Sequence, residues 1–155
     1  MSLIYNFKEH GLYFDKEDDG VPKVYISINT LELIFDLTTG TLIGVQGFLP
    51  LVRALISKID LPDVIEKAYR LAKDDLKECK CNEVYEFSDL KPETQKNFEN
   101  VPIKFDNEKG IILIGQNLNE SELGIRINKN VICGVDQKDI LRCLYIIPDR
   151  FIQAS

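Results

Sequence analysis

The densest run of groups able to do chemistry is Asp15-Lys16-Glu17-Asp18-Asp19-Gly20. Oxygen donors at its first, third and fifth places, with Gly at the sixth, open like a calcium loop. The twelfth place is Ile26, where such a loop needs a bidentate Glu, and Val21-Pro22-Lys23-Val24-Tyr25 leads into a strand instead of a helix. The run therefore reads as a solvated hairpin loop that presents a compact acidic spot. A second group of carboxylates, Asp74, Asp75 and Glu78, follows further along. Asp74 and Glu78 are like charges four apart, which costs a helix a few tenths of a kcal/mol and hints at another use.

Four cysteines, Cys79, Cys81, Cys133 and Cys143, match a tetrahedral zinc site in number. Their spacing does not: Cys79-Lys80-Cys81 is tighter than the usual pair of ligands, and Cys133 and Cys143 fall on predicted strands with no second knuckle. Reduced, structural thiols are expected, and no metal. His10 is the only histidine, so a nucleophile–His mechanism would rest on one residue of a weakly patterned N-terminal segment. Carboxylate-only catalysis stays open with 25 acids, but sequence selects no pair. Gly40-Thr41-Leu42-Ile43-Gly44-Val45-Gln46-Gly47 lacks the Lys-Ser/Thr of a phosphate loop. Only a small anion site from Gly47 and Arg53, at a predicted helix start, survives there. No cofactor is expected.

The formal charge is −6, from 25 acidic and 19 basic side chains, so the surface repels phosphate backbones and argues against nucleic acid. Residues 60–99 carry 11 acids against 7 bases, while residues 101–155 carry 7 of each. A basic protein is the partner this balance favours. The opening residues lack a basic segment followed by a sustained apolar run, and the apolar stretch from Ile43 to Ile59 is interrupted by Arg53 and Lys58. A cytoplasmic protein with no membrane span is expected. Nothing in the sequence fixes an oligomeric state.

These groups need elements to position them. Val24, Ile26 and Ile28, then Leu31, Leu33, Phe35 and Leu37, alternate with mostly polar neighbours and predict a β-meander over residues 24–47, joined by a weaker strand near Leu12–Asp15. After Gly47 the period changes. Phe48, Val52, Leu55, Ile56 and Ile59 stand at helical spacing behind Pro50, predicting a buried helix at about 49–58. Asp60 as N-cap and the stripe Ile65, Ala68, Ala72, Leu76 and Cys79 predict a second at about 61–79, with Asp63–Lys67 and Glu66–Arg70 as exposed pairs.

Residues 80–100 read as a polar, irregular connector with a short strand near Val84, Tyr85 and Phe87. From Val101 the period of two returns in five short runs ending near Ile147. The expected fold is α+β: a single domain over residues 1–155, with two antiparallel meanders flanking two consecutive helices. Phe35-Asp36-x-x-x-Gly40 recurs as Phe105-Asp106-x-x-x-Gly110, which assigns Asp36 and Asp106 to turns and removes them as active-site carboxylates.

The function this pattern favours is a non-catalytic acidic binding protein, of the inhibitor or immunity type, for a basic partner. Its candidate contact residues are Asp15, Glu17, Asp18, Asp19, Asp74, Asp75 and Glu78. The alternative is a small-molecule-binding protein or carboxylate-dependent enzyme with a pocket between sheet and helices.

Overall fold

The computed structural model describes residues 2–16 and 20–153. Its strands are β1 (Leu3–Asn6), β2 (Gly11–Phe14), β3 (Lys23–Ile28), β4 (Leu31–Asp36), β5 (Leu42–Phe48), β6 (Leu55–Ile56), β7 (Val64–Ile65), β8 (Val84–Glu86), β9 (Lys104–Asp106), β10 (Ile111–Gly115), β11 (Leu123–Asn128), β12 (Val131–Val135), β13 (Leu141–Ile146) and β14 (Arg150–Ile152). Three short helices, α1 (Lys73–Lys77), α2 (Phe87–Leu90) and α3 (Pro92–Lys96), interrupt them. Strand accounts for 43% of the described residues and helix for 11%, so sheets carry the architecture.

Sheet 1 runs β14-β1-β2-β5-β4-β3-β8 and sheet 2 runs β6-β9-β10-β13-β12-β11-β7. The inner five strands of each are antiparallel, as alternating one-sided patterns joined by short turns require. The outermost strands β14, β8, β6 and β7 all join in parallel. Each parallel edge closes a connection that leaves one region of the chain and returns elsewhere, so both sheets are mixed. The sheets share one core: Val24, Ile26, Leu33 and Phe35 from sheet 1 lie with Ile112, Ile125, Cys133 and Leu144 from sheet 2. Between the β1 and β9 margins, Tyr5, Phe7, Phe105 and Phe151 form a ring cluster with centroids 4.9–6.5 Å apart.

The two sheets repeat one plan. A hairpin, β1–β2 or β9–β10, precedes a three-stranded meander, β3–β5 or β11–β13, and the β4–β5 and β12–β13 pairs both shift register, after Ile34 and after Gly134. Turn chemistry follows the plan. Asn6 Oδ1 accepts the Lys8 and Glu9 N–H groups, as Asp106 Oδ1 accepts those of Glu108 and Lys109. Asp36 Oδ1 accepts Thr38 and Thr39 N–H, as Asp136 Oδ1 accepts Lys138 and Ile140 N–H. The Phe-Asp echo in the sequence thus joins two hairpins that are not counterparts: Asp36 answers to Asp136, and Asp106 to Asn6.

The first expected helix is absent and the second is reduced to its last turn. Over 49–58 the chain makes a 3-10 turn at Leu51–Arg53 and then β6, because Leu55 and Ser57 give their N–H groups to Ile103 and Phe105 of the neighbouring chain segment. An amide spent on a sheet cannot also close a helical turn. The apolar stripe that suggested a helix is largely outward: Phe48, Val52, Leu55 and Ile56 are exposed, and Leu51 and Ile59 are buried.

Over 61–79 only Lys73–Lys77 is helical. Val64 and Ile65 pair with Gly124 and Ile125, and Leu42 N–H and Gly40 C=O bond to Tyr69 and Leu71. The backbone needs of a sheet margin and of a turn override helical periodicity here. The 80–100 segment is more regular than its composition suggested, holding β8, α2 and α3. Residues 59–63 cross the outer face of sheet 2, where Ile59 packs with Ile111, Leu113, Ile132, Cys143 and Tyr145. Gly124 permits this crossing, since a Cβ there would meet Pro62 Cγ at 3.0 Å and Asp63 O at 3.1 Å.

Candidate functional site

β3 begins at Lys23, which pairs with Asp36, and the β4–β5 turn follows Asp36, so that turn lies at the end of sheet 1 where β3 starts. α1 is drawn to the same end. Leu71 N–H bonds to Gly40 O, and the space beside Gly40 is filled by Leu76 of α1. Asn82 N–H bonds to Lys23 O, which returns the chain to the start of β3 before β8 begins. The antiparallel β2–β5 register points the end of β2, and Asp15 after it, toward the same end of sheet 1 as the turn that α1 packs on.

Asp15 is exposed, and its Oδ1 accepts the Ser2 N–H at 2.8 Å, a bond that holds the carboxyl below the usual range. Asp74 and Glu78 are exposed and Asp75 is half-buried. Glu17, Asp18 and Asp19 lie outside the described residues. Lysines are interspersed at the same end, with Lys16, Lys73, Lys77 and Lys80 all exposed. Cys79 gives its thiol to Asp75 O at 3.2 Å. Burial, then the charges of Asp75 and Glu78, push that thiol pKa up, so it stays protonated and unreactive at neutral pH.

The other sequence candidates have structural tasks. Cys133 belongs to the shared core and Cys143 to the outer cluster of sheet 2, so neighbouring strands send the two sulfurs to opposite faces. Burial raises both, Cys143 to about 12. Among the described residues, no group of three or more His, Cys, Asp and Glu side chains is arranged to hold a metal ion. His10 closes the β1–β2 turn with φ 56°, sets its ring edge against Phe48 and accepts the Leu49 N–H on its carbonyl. Gly47 lies within β5 and starts no helix, so the anion site with Arg53 is withdrawn.

Sequence reasoning missed two features. One is the exposure of Phe48, Val52, Leu55 and Ile56, hidden by their helical spacing. The other is an open cleft of about 380 Å³ between segment 67–70 and sheet 2, lined by Lys67, Ala68, Tyr69, Arg70, Ile125 and Asp139. Lys67 Nζ spans it to Asp139 Oδ1 at 2.7 Å in place of the expected helical pair with Asp63. Asp139 is its single carboxylate, so it holds no acid pair.

Two sheets packed on a shared core, each mixed at its margins, define a β-rich two-sheet protein with short helical connections. No protein-family model matches the chain, and no curated protein matches it. No helix among the described residues is long and apolar enough to cross a membrane.

Proposed function

We propose that this chain is a non-catalytic protein-binding domain, of the inhibitor or immunity type, whose acidic end receives a basic partner. What supports this reading is that the end of β2, which precedes Asp15, and α1, which carries Asp74, Asp75 and Glu78, both lie toward the end of sheet 1 where the β4–β5 turn sits. Exposed carboxylates arrayed there accelerate encounter with Lys and Arg and discriminate against acidic partners. Glu17, Asp18 and Asp19, which follow Asp15 in sequence and lie outside the described residues, belong to the proposal on their charge alone.

A net charge of −6 attracts cations from any direction, so the test must separate a surface from a total. Asp74→Lys/Asp75→Lys and Glu93→Lys/Glu99→Lys change the charge equally, but only the first pair lies at the acidic end. With small basic nucleases as probes, the first variant should lose affinity at least about tenfold more than the second, with a steep salt dependence. Equal losses would reduce the effect to overall charge and end this assignment.

A second reading rests on the cleft beside Arg70. A small anion there would sit on Arg70 over Ile125 and take Lys67 from Asp139, and this reading predicts a rise in melting temperature with added phosphate or dicarboxylates. Substitution of Arg70 by Ala should abolish that rise.

A further inference from the structure

The outer strands β14, β8, β6 and β7 leave one edge open in each case, and their flanking charges differ. β8 lies between Glu83 and Lys91 with Glu86 at its end, and β7 between Asp63 and Glu66. β6 alone has cations on both sides, Arg53 before it and Lys58 after it, both exposed. Neither has a carboxylate within ion-pair distance among the described residues, whereas the nearby Asp60 is already held by Lys109 at 3.0 Å. Because Leu55 and Ser57 turn their N–H groups to Ile103 and Phe105, strand alternation turns the Ile56 N–H and C=O to the open side.

The side chains of this edge are also unusual for their place in the fold. β14 occupies the corresponding position in sheet 1, Phe151 opposite Tyr5 just as Ile56 stands opposite Phe105. Phe151 turns into the ring cluster with Tyr5, Phe7 and Phe105. Ile56 is 64% exposed and Leu55 51%, with Val52 at 68% in the turn just before them. Such a run of large apolar side chains on an open strand marks an interaction surface.

We infer that the β6 edge accepts an acidic, extended peptide segment of a partner as an added strand. Hydrogen bonds to Ile56 would fix its direction, apolar side chains would cover Leu55 and Ile56, and carboxylates would meet Arg53 and Lys58. A second copy of β6 fits less well than an acidic strand. Antiparallel pairing through the outward Ile56 groups sets Ile56 against itself and gathers Arg53 and Lys58 of both copies along one seam with no carboxylate to meet them, a net repulsion. Cations on an edge guard against self-pairing, and the same guard admits a strand of opposite charge.

The probe is a fluorescein-labelled peptide of alternating Val and Glu, titrated by anisotropy against the full chain, with a Val–Lys peptide as its control. The Val–Glu probe should bind and the Val–Lys probe should not. Arg53→Glu/Lys58→Glu, which touches only exposed side chains, should weaken binding at least about tenfold. Ile56→Pro should do the same, because it removes the outward N–H. Equal binding of both probes would overturn the inference. So would a loss in Arg53→Glu/Lys58→Glu with none in Ile56→Pro, which is attraction by charge without strand addition. A dimer in light scattering that Ile56→Pro returns to monomer would place a second copy on the edge and overturn it as well. Asp74→Lys/Asp75→Lys should not weaken probe binding, so this surface and the acidic end stand or fall separately.

Discussion

Tyr5 and Phe105 hold equivalent places in the two sheets. Each lies opposite a parallel edge strand, at Phe151 and at Ile56, and each directly precedes the residue that anchors its hairpin turn, Asn6 or Asp106. The equivalence breaks at the anchor. Asp106 has a second carboxylate oxygen, and Oδ2 accepts the Ile59 N–H at 2.9 Å, fastening the segment that crosses the outer face of sheet 2.

That fastening should appear in the pH dependence of stability. The Ile59 N–H and then the Lys109 N–H hold the Asp106 carboxyl below its ordinary 3.8. A folded-state pKa below the unfolded one means that the native protein binds fewer protons near pH 4. The stabilisation is therefore present above the unfolded value and is lost as pH falls through the folded value. Asp106→Asn should lower the melting temperature at pH 7 and flatten its decline between pH 5 and pH 3. Asp15, Asp60 and Asp149, also shifted down, keep some slope in the variant. Melting curves that stay parallel to wild type across this range would remove Asp106 from the account.

The strands were legible because alternation fixes which face is buried: Val24, Ile26 and Ile28 are buried as their spacing requires. The turn roles of Asp36 and Asp106 were legible for a local reason, since an Asp carboxylate reaches N–H groups two and three residues on. Partner choice was not. Whether Leu55 lies in a helix depends on Ile103 offering a carbonyl, and that contact is distant in sequence. The same limit hid the candidate surfaces. Asp15 and Asp74 share an end of sheet 1 only because Gly40 and Lys23 bind segments that follow much later. Ile56 was read as core because period alone does not tell which side of an apolar stripe meets another layer.

Gly134 tests the packing of that outer layer. A Cβ at this position would collide with Cys143 Sγ and would lie 2.8 Å from Leu118 Cδ2. Cys143 is fully buried on β13, so its sulfur has little room to retreat. Gly134→Ala should cost about 1–3 kcal/mol, the usual range for overpacking a tight site. Cys143→Ala in the same chain should recover part of that loss, giving a coupling between the two substitutions in urea unfolding. Strict additivity would mean that the strain is relieved elsewhere.

Tyr5 tests the turn that leads into the open edge. Its hydroxyl donates to Leu49 O at 2.5 Å and accepts the Leu51 N–H at 3.0 Å, while the ring is wholly buried and burial raises the phenol pKa. Tyr5→Phe keeps the ring contacts with Phe7 and Phe151 but strands a buried donor and a buried acceptor. The cost should be about 1–3 kcal/mol, seen as a lower urea midpoint at unchanged slope. Because the turn ends two residues before Leu55, amide exchange at Leu51 should quicken most, ahead of the amides in β3 and β4. An unchanged midpoint with uniform exchange would show that the hydroxyl does not hold this turn in place. Faster exchange confined to the turn would identify Tyr5 as the residue that sets the geometry in which Val52, Leu55 and Ile56 are displayed.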